Sequence, residues 1–171
     1  MKKTIRITSL ILIVILASIF WIRASAKPEA PVQPVAFDHW QHVTKEDGPG
    51  LDCAFCHDNA AKSAHATVPN TSVCMACHES MKTESPEVQK LAAYSEAHQQ
   101  PPWARVYFLS DTADAYFTHK PHIRAKVDCA ACHGQVAQSH QIRREVKHTM
   151  GWCVDCHRQQ NVSTDCYVCH R

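Results

Sequence analysis

Five copies of Cys-x-x-Cys-His constrain this chain more than any other feature. They read CAFCH at 53–57, CMACH at 74–78, CAACH at 129–133, CVDCH at 153–157 and CYVCH at 166–170, and together they use all ten cysteines. This is the attachment pattern for a c-type haem: two thiols add across the porphyrin vinyl groups, and the adjacent histidine binds the iron from one side. Two other chemistries compete. Paired CxxC units also build four-thiolate zinc sites, and ten cysteines allow a disulfide framework. The histidines discriminate. With 13 histidines in 171 residues, one following the second cysteine in all five boxes would occur by chance roughly three times in a million, and neither rival needs it. The attachment thiols are then Cys53 and Cys56, Cys74 and Cys77, Cys129 and Cys132, Cys153 and Cys156, and Cys166 and Cys169, with His57, His78, His133, His157 and His170 as the adjacent iron ligands.

Five haems change what a chain of this length can be. The part from Lys27 onward is 145 residues, or 29 per haem, so porphyrin faces supply much of the apolar surface that side chains usually bury. The expected fold is a few short helices and loops wrapped around five haems, with little or no sheet and an N-terminal helix.

That N-terminal segment, residues 1–26, places Lys2, Lys3 and Arg6 ahead of an uncharged apolar run from Ile7 to Ile22. Basic residues before such a run keep the N-terminus cytoplasmic and send the rest across the membrane. Export agrees with c-type haem, which is attached on the outer side. Two outcomes are open: Ala24-Ser25-Ala26 is an A-x-A cleavage candidate, whereas Trp21 followed by Arg23 has the look of an interfacial anchor. The expectation is a retained single helix over 7–22 on the periplasmic side of the inner membrane, with a cleaved, soluble periplasmic chain as the alternative. Four of the 18 basic residues lie in this leader and none of the 16 acids does, so the remainder carries a formal −2 and offers no basic patch for nucleic acid.

Residues 27–36 hold three prolines and read as an extended tether. Phe37-Asp38-His39-Trp40-Gln41-His42 then precedes Leu51-Asp52 and the first box. Phe117-Thr118-His119-Lys120-Pro121-His122 precedes Val127-Asp128 and the third box in the same order. This internal repeat divides the chain into a two-haem module at 37–84 and a three-haem module at 117–171, joined by a spacer at 85–116. In the spacer, Ser85 and Pro86 begin a helix with Val88, Leu91, Ala92 and Ser95 on its inner face, ended before Pro101-Pro102. Trp103 to Phe108 is aromatic, placed to pack on a haem edge or in ordinary core.

Phe-x-His-x-x-His, a CxxCH, a lone histidine ahead of another CxxCH, and a last CxxCH make residues 117–171 resemble the small class III multihaem cytochromes of trihaem type. The whole order, from anchor through FTHKPH and CAACHGQV to MGWCVDCHR, resembles the pentahaem cytochrome c subunit of alternative complex III and related quinol-oxidising membrane complexes. The resemblance implies a multihaem cytochrome c with histidines on both faces of every iron. Carried over residue by residue, it pairs His119 with His133, His122 with His157 and His148 with His170; by the internal repeat, His39 serves with His57 and His42 with His78. His65 is the alternative fifth ligand. His98 reads as a charge at a helix end, His140 as solvated, and Met150 as packing rather than a thioether ligand. Arg143, Arg144, Lys147 and Arg158 are placed to meet haem propionates.

Iron with a histidine on each face has no open position for substrate, which implies electron transfer rather than catalysis. The implied function is a relay of electrons on the periplasmic side, from a membrane quinol-oxidising or iron–sulfur partner to a periplasmic acceptor such as another cytochrome. The alternatives are a multihaem reductase with an open haem, disfavoured because no box departs from CxxCH, and a haem unit of an extracellular electron conduit.

Overall fold

The helices that carry the boxes and the Phe-x-His-x-x-His histidines are short, from four to ten residues. The computed structural model describes residues 2–24, 30–46, 48–109 and 113–170; within the first helix, side chains are described for residues 11–21 and Arg23. In chain order the α-helices are α1 (Lys2–Ala24), α2 (His39–Val43), α3 (Cys53–Cys56), α4 (Thr71–His78), α5 (Pro86–Glu96), α6 (His119–Arg124), α7 (Cys129–His133), α8 (Met150–Gln159) and α9 (Cys166–Cys169), with 3-10 turns at Asp58–Ala61 and Val136–Gln138. Among the described residues there is no strand.

Each box is helical through its cysteines. On a helix, residues three and four apart share a face, so one turn brings both thiols of a box to the side its histidine follows. Extended Asp52, Asp128 and Asp165 start α3, α7 and α9, and the Asp128 carboxylate accepts from the Ala130 N–H at 2.8 Å. The fourth box sits in the longer α8, where the Thr149 hydroxyl accepts from the Trp152 N–H at 3.2 Å.

Side-chain burial is sparse. Among the described residues, Val35, Met75 and Leu91 are the buried apolar side chains and Thr71 the buried polar one. Three of these four lie where α4 meets α5. Gln100 closes that junction: its Oε1 accepts from the Thr71 N–H at 3.1 Å, and its Nε2 donates to Thr71 Oγ1 at 3.4 Å. The spacer helix ends earlier than its prolines require. His98 turns into the left-handed region (φ +52), and the Gln99 N–H donates back to Tyr94 O at 2.9 Å, a Schellman-type stop.

The segment expected as a tether is fastened at its C-terminal end. Gln33 exchanges two 2.9 Å hydrogen bonds with the backbone of Ala104, and the Ala36 N–H donates to Glu87 Oε2 at 2.7 Å. The cleavage candidate's Ser25 and Ala26, together with Lys27, Pro28 and Glu29, lie outside the described residues. The helix expected in the leader is α1, and its described apolar side chains from Ile11 to Trp21 are exposed. Among the described residues no helix is long and apolar enough to cross a membrane.

Candidate haem and iron-ligand sites

The two Phe-x-His-x-x-His motifs are built alike. Asp38 caps α2 and Thr118 caps α6, each by accepting from a backbone N–H of the first turn. In both, the aromatic residue lies against both histidines: Phe37 stacks on His42 (centroids 4.4 Å apart) and meets His39 edge-on (4.8 Å), while Phe117 lies over His122 (5.1 Å) and meets His119 edge-on (4.9 Å). The second histidine of each motif bonds its own cap: His42 Nδ1 to Asp38 O at 2.8 Å and His122 Nδ1 to Thr118 O at 3.0 Å. Its carbonyl then takes the N–H of the residue two before the next box, Leu51 at 2.9 Å and Val127 at 3.0 Å. A three-residue spacing on one helical turn therefore presents two imidazoles to two different boxes.

Three of those imidazoles face a box histidine. Ring centroids are 6.0 Å apart for His42 and His78, 6.2 Å for His119 and His133, and 6.1 Å for His122 and His157. With metal–nitrogen bonds of about 2.0 Å, two imidazoles on opposite faces of one metal have centroids roughly 6 Å apart. His57 is near enough to His39 for its charge to be felt there.

The ring nitrogens are tied accordingly. Nδ1 of His57 bonds Thr67 O at 2.6 Å, of His78 Met81 O at 3.0 Å, of His157 Ser163 O at 2.8 Å, of His170 Asp114 O at 2.8 Å and of His119 Ala64 O at 2.9 Å. A carbonyl can only accept, so Nδ1 carries the proton and Nε2 keeps the lone pair a metal needs. Two rings are also held neutral. His39 and His133 are pushed down to about 4, by burial first and then by the charges of neighbouring histidines, and neutral imidazole is the ligating form. His39 Nδ1 is buried without a hydrogen-bond partner.

These observations fit haem better than the rivals. The ring pairs are two-sided, the number an iron needs when a porphyrin fills its equator. Zinc in thiolates requires several ligands converging on one point, and among the described residues no three of His, Cys, Asp or Glu do so. All ten cysteines are free thiols.

His148 stands apart from the other expected ligands. Its Nε2–H donates to Cys132 O at 2.7 Å, and its ring lies 6.1 Å from His133 and 4.9 Å from Trp152. These contacts place it at the third box, with its ring perpendicular to that of His133, and none joins it to His170. His65 lies in the 63–67 loop, with Ser63 Oγ donating to its carbonyl at 2.6 Å. Met150 opens α8 and is 70% exposed. Arg144 donates to Val146 O and Phe108 O, both at 3.3 Å, and covers the Phe108 ring, while Arg158 pairs with Asp155 at 3.5 Å on the surface.

Two supporting residues escaped the sequence. His140 is exposed, as expected, and also bonds Asp38 Oδ2 at 2.8 Å and lies 5.1 Å from the Trp40 ring, tying the 3-10 turn Val136–Gln138 to the helix that carries His39 and His42. Tyr107 donates its hydroxyl to His133 O at 2.7 Å and accepts from the Glu145 N–H at 2.9 Å, with its ring edge-on to His133 at 4.6 Å. The aromatic spacer was the available signal for Tyr107; nothing in the local sequence marks His140.

No family model matches the chain. The chain is similar to the multihaem cytochrome c subunit of the menaquinone reductase of Nitratidesulfovibrio vulgaris (strain Hildenborough), with 26% identity over 166 residues, covering 81% of this chain and 77% of the relative.

Proposed function

We propose that this chain is a pentahaem c-type cytochrome that relays electrons on the periplasmic side of the inner membrane as a subunit of a quinone-linked membrane complex. The observation that carries the reading is the set of three imidazole pairs 6.0–6.2 Å apart. Support for the quinone link comes from the similarity to a menaquinone reductase subunit. The proposed iron ligands are His39 with His57, His42 with His78, His119 with His133, His122 with His157 and His148 with His170. Haem supplies reversible one-electron chemistry when bound. The protein's part is to orient imidazoles through their Nδ1–H bonds, and to leave no side for substrate. Such irons pass electrons either way, so a menaquinone-reducing and a quinol-oxidising complex, including one of alternative complex III type, are both served by the same chain. A polytopic quinone-binding subunit and a large iron–sulfur protein are the partners expected to co-purify with it.

A pyridine haemochrome assay normalised to protein is expected to return five haems per chain, and intact mass five covalent additions. A colourless, zinc-bearing chain would end the reading. We further propose that α1 is retained as an anchor, on the strength of its apolar run and of Trp21 beside Arg23. Membrane fractions should then keep the protein through a high-salt wash, with its N-terminal peptide intact. A soluble chain beginning at Lys27 would show instead that the leader is cleaved.

A further inference from the structure

Chain order would put the second box, the nearer in sequence, against the third. The packing is different, and it centres on the first box. The first and third boxes meet at one loop. The loop 63–67 serves both boxes at once: Thr67 O accepts from His57 Nδ1 at 2.6 Å, and Ala64 O accepts from His119 Nδ1 at 2.9 Å. Thr118 Oγ1 reaches Ser63 O at 3.5 Å, and α6 packs on the 3-10 turn that follows the first box. Thr67 holds this shape from the left-handed region (φ +59), with its hydroxyl accepting from Asn59 Nδ2 at 3.0 Å.

The second box meets the first through α2, where the His42 ring lies 6.0 Å from His78 and the His42 carbonyl takes the Leu51 N–H just ahead of the first box at 2.9 Å. α4 faces α5 across a cavity of about 260 Å³ lined by Met75, His78, Val88 and Ala92 among others. Beyond the third box, Cys132 O accepts from His148, whose ring lies 4.9 Å from Trp152 in the helix of the fourth box, and Ser163 O, between the fourth and fifth boxes, accepts from His157 Nδ1 at 2.8 Å. The ligand helices agree, since α2 presents His42 to the second box and His39 to the first, while α6 presents His119 to the third and His122 to the fourth.

We propose that the five boxes form one unbranched series in the order second, first, third, fourth, fifth, joined between the halves at the first and third boxes, with the second and fifth as the ends open to redox partners. The inference rests on the reading of the boxes as haem sites. Two measurements on the haem-loaded chain test it. In a Met81→Cys chain the new residue is the single free thiol, and it takes a ruthenium photosensitiser beside the second box. An electron injected there by a flash should move on quickly in this parent. It should stay, with loss of the fast transfer phase, when the first haem is removed by Cys53→Ala/Cys56→Ala. A fast phase that survives this removal overturns the order. Independently of any variant, iron positions in an experimental structure of the unmodified holoprotein should put the first iron closer to the third than the second iron is; the reverse overturns the proposal. A chain that yields no pyridine haemochrome would instead remove the haem reading itself.

Discussion

Replacing His148 by alanine is expected to turn one of five irons from low-spin to high-spin and to open it to carbon monoxide or cyanide. A covalently tethered porphyrin stays in place when an axial bond is lost, so the haem count should remain five while one signal changes class. Electron transfer through the C-terminal end should slow with it. The proposed pairing with His170 requires the His148 ring to present Nε2 to iron, whereas in the structure that atom donates to Cys132 O at 2.7 Å. The two roles separate in the measurement. If His148 serves only that carbonyl, the variant keeps five low-spin irons and loses about 1 kcal/mol of stability, the usual worth of one hydrogen bond. His65→Ala is the control and should leave all five low-spin. An inverted outcome, with His65→Ala producing the high-spin iron, makes His65 the fifth ligand.

Gly134→Ala should be among the most damaging single changes outside the ligands themselves. Gly134 follows the third box at φ +73, ψ −159, a region that residues with a Cβ essentially avoid. A methyl group there would run into the Glu145 carboxylate and lie 2.8 Å from Glu145 Cβ. Glu145 cannot easily withdraw, because its Oε2 accepts from the Gln135 N–H at 2.8 Å and its own N–H donates to Tyr107. Strain of about 1–3 kcal/mol for the backbone alone, with displacement of Glu145 added, should lower the guanidinium midpoint clearly. Gly151→Ala supplies the contrast. A Cβ at this position in α8 meets nothing within 4 Å, so alanine should be neutral or stabilise by up to about 1 kcal/mol. Equal effects at the two glycines would refute the conformational argument.

What the sequence made legible was set by local spacing. A histidine three residues after another on a helix, and a thiol three before another, define faces without any tertiary knowledge, and the rings of His42, His119 and His122 lie 6.0–6.2 Å from those of box histidines. The absence of strands among the described residues follows from the same density of boxes. What stayed hidden depends on long-range backbone. His140 and Asp38 are 102 residues apart, and no periodicity links them. The carbonyls that fix ring tautomers, Thr67 O and Ala64 O among them, belong to residues whose side chains carry no ligand chemistry. Even the end of α5 was set by His98 adopting a left-handed turn rather than by the prolines beyond it.

The scarcity of buried side chains bears on how such a chain is made. Among the described residues, three buried apolar side chains are far too few to offset the conformational entropy of ordering a chain this long, about 1–2 kcal/mol per residue for the backbone alone. On the proposed reading, stability comes with the cofactor, as it does wherever binding free energy is folding free energy. Biosynthesis then has an enforced order: the attachment machinery meets an open polypeptide whose cysteines are accessible, and each ligation commits a further stretch of backbone.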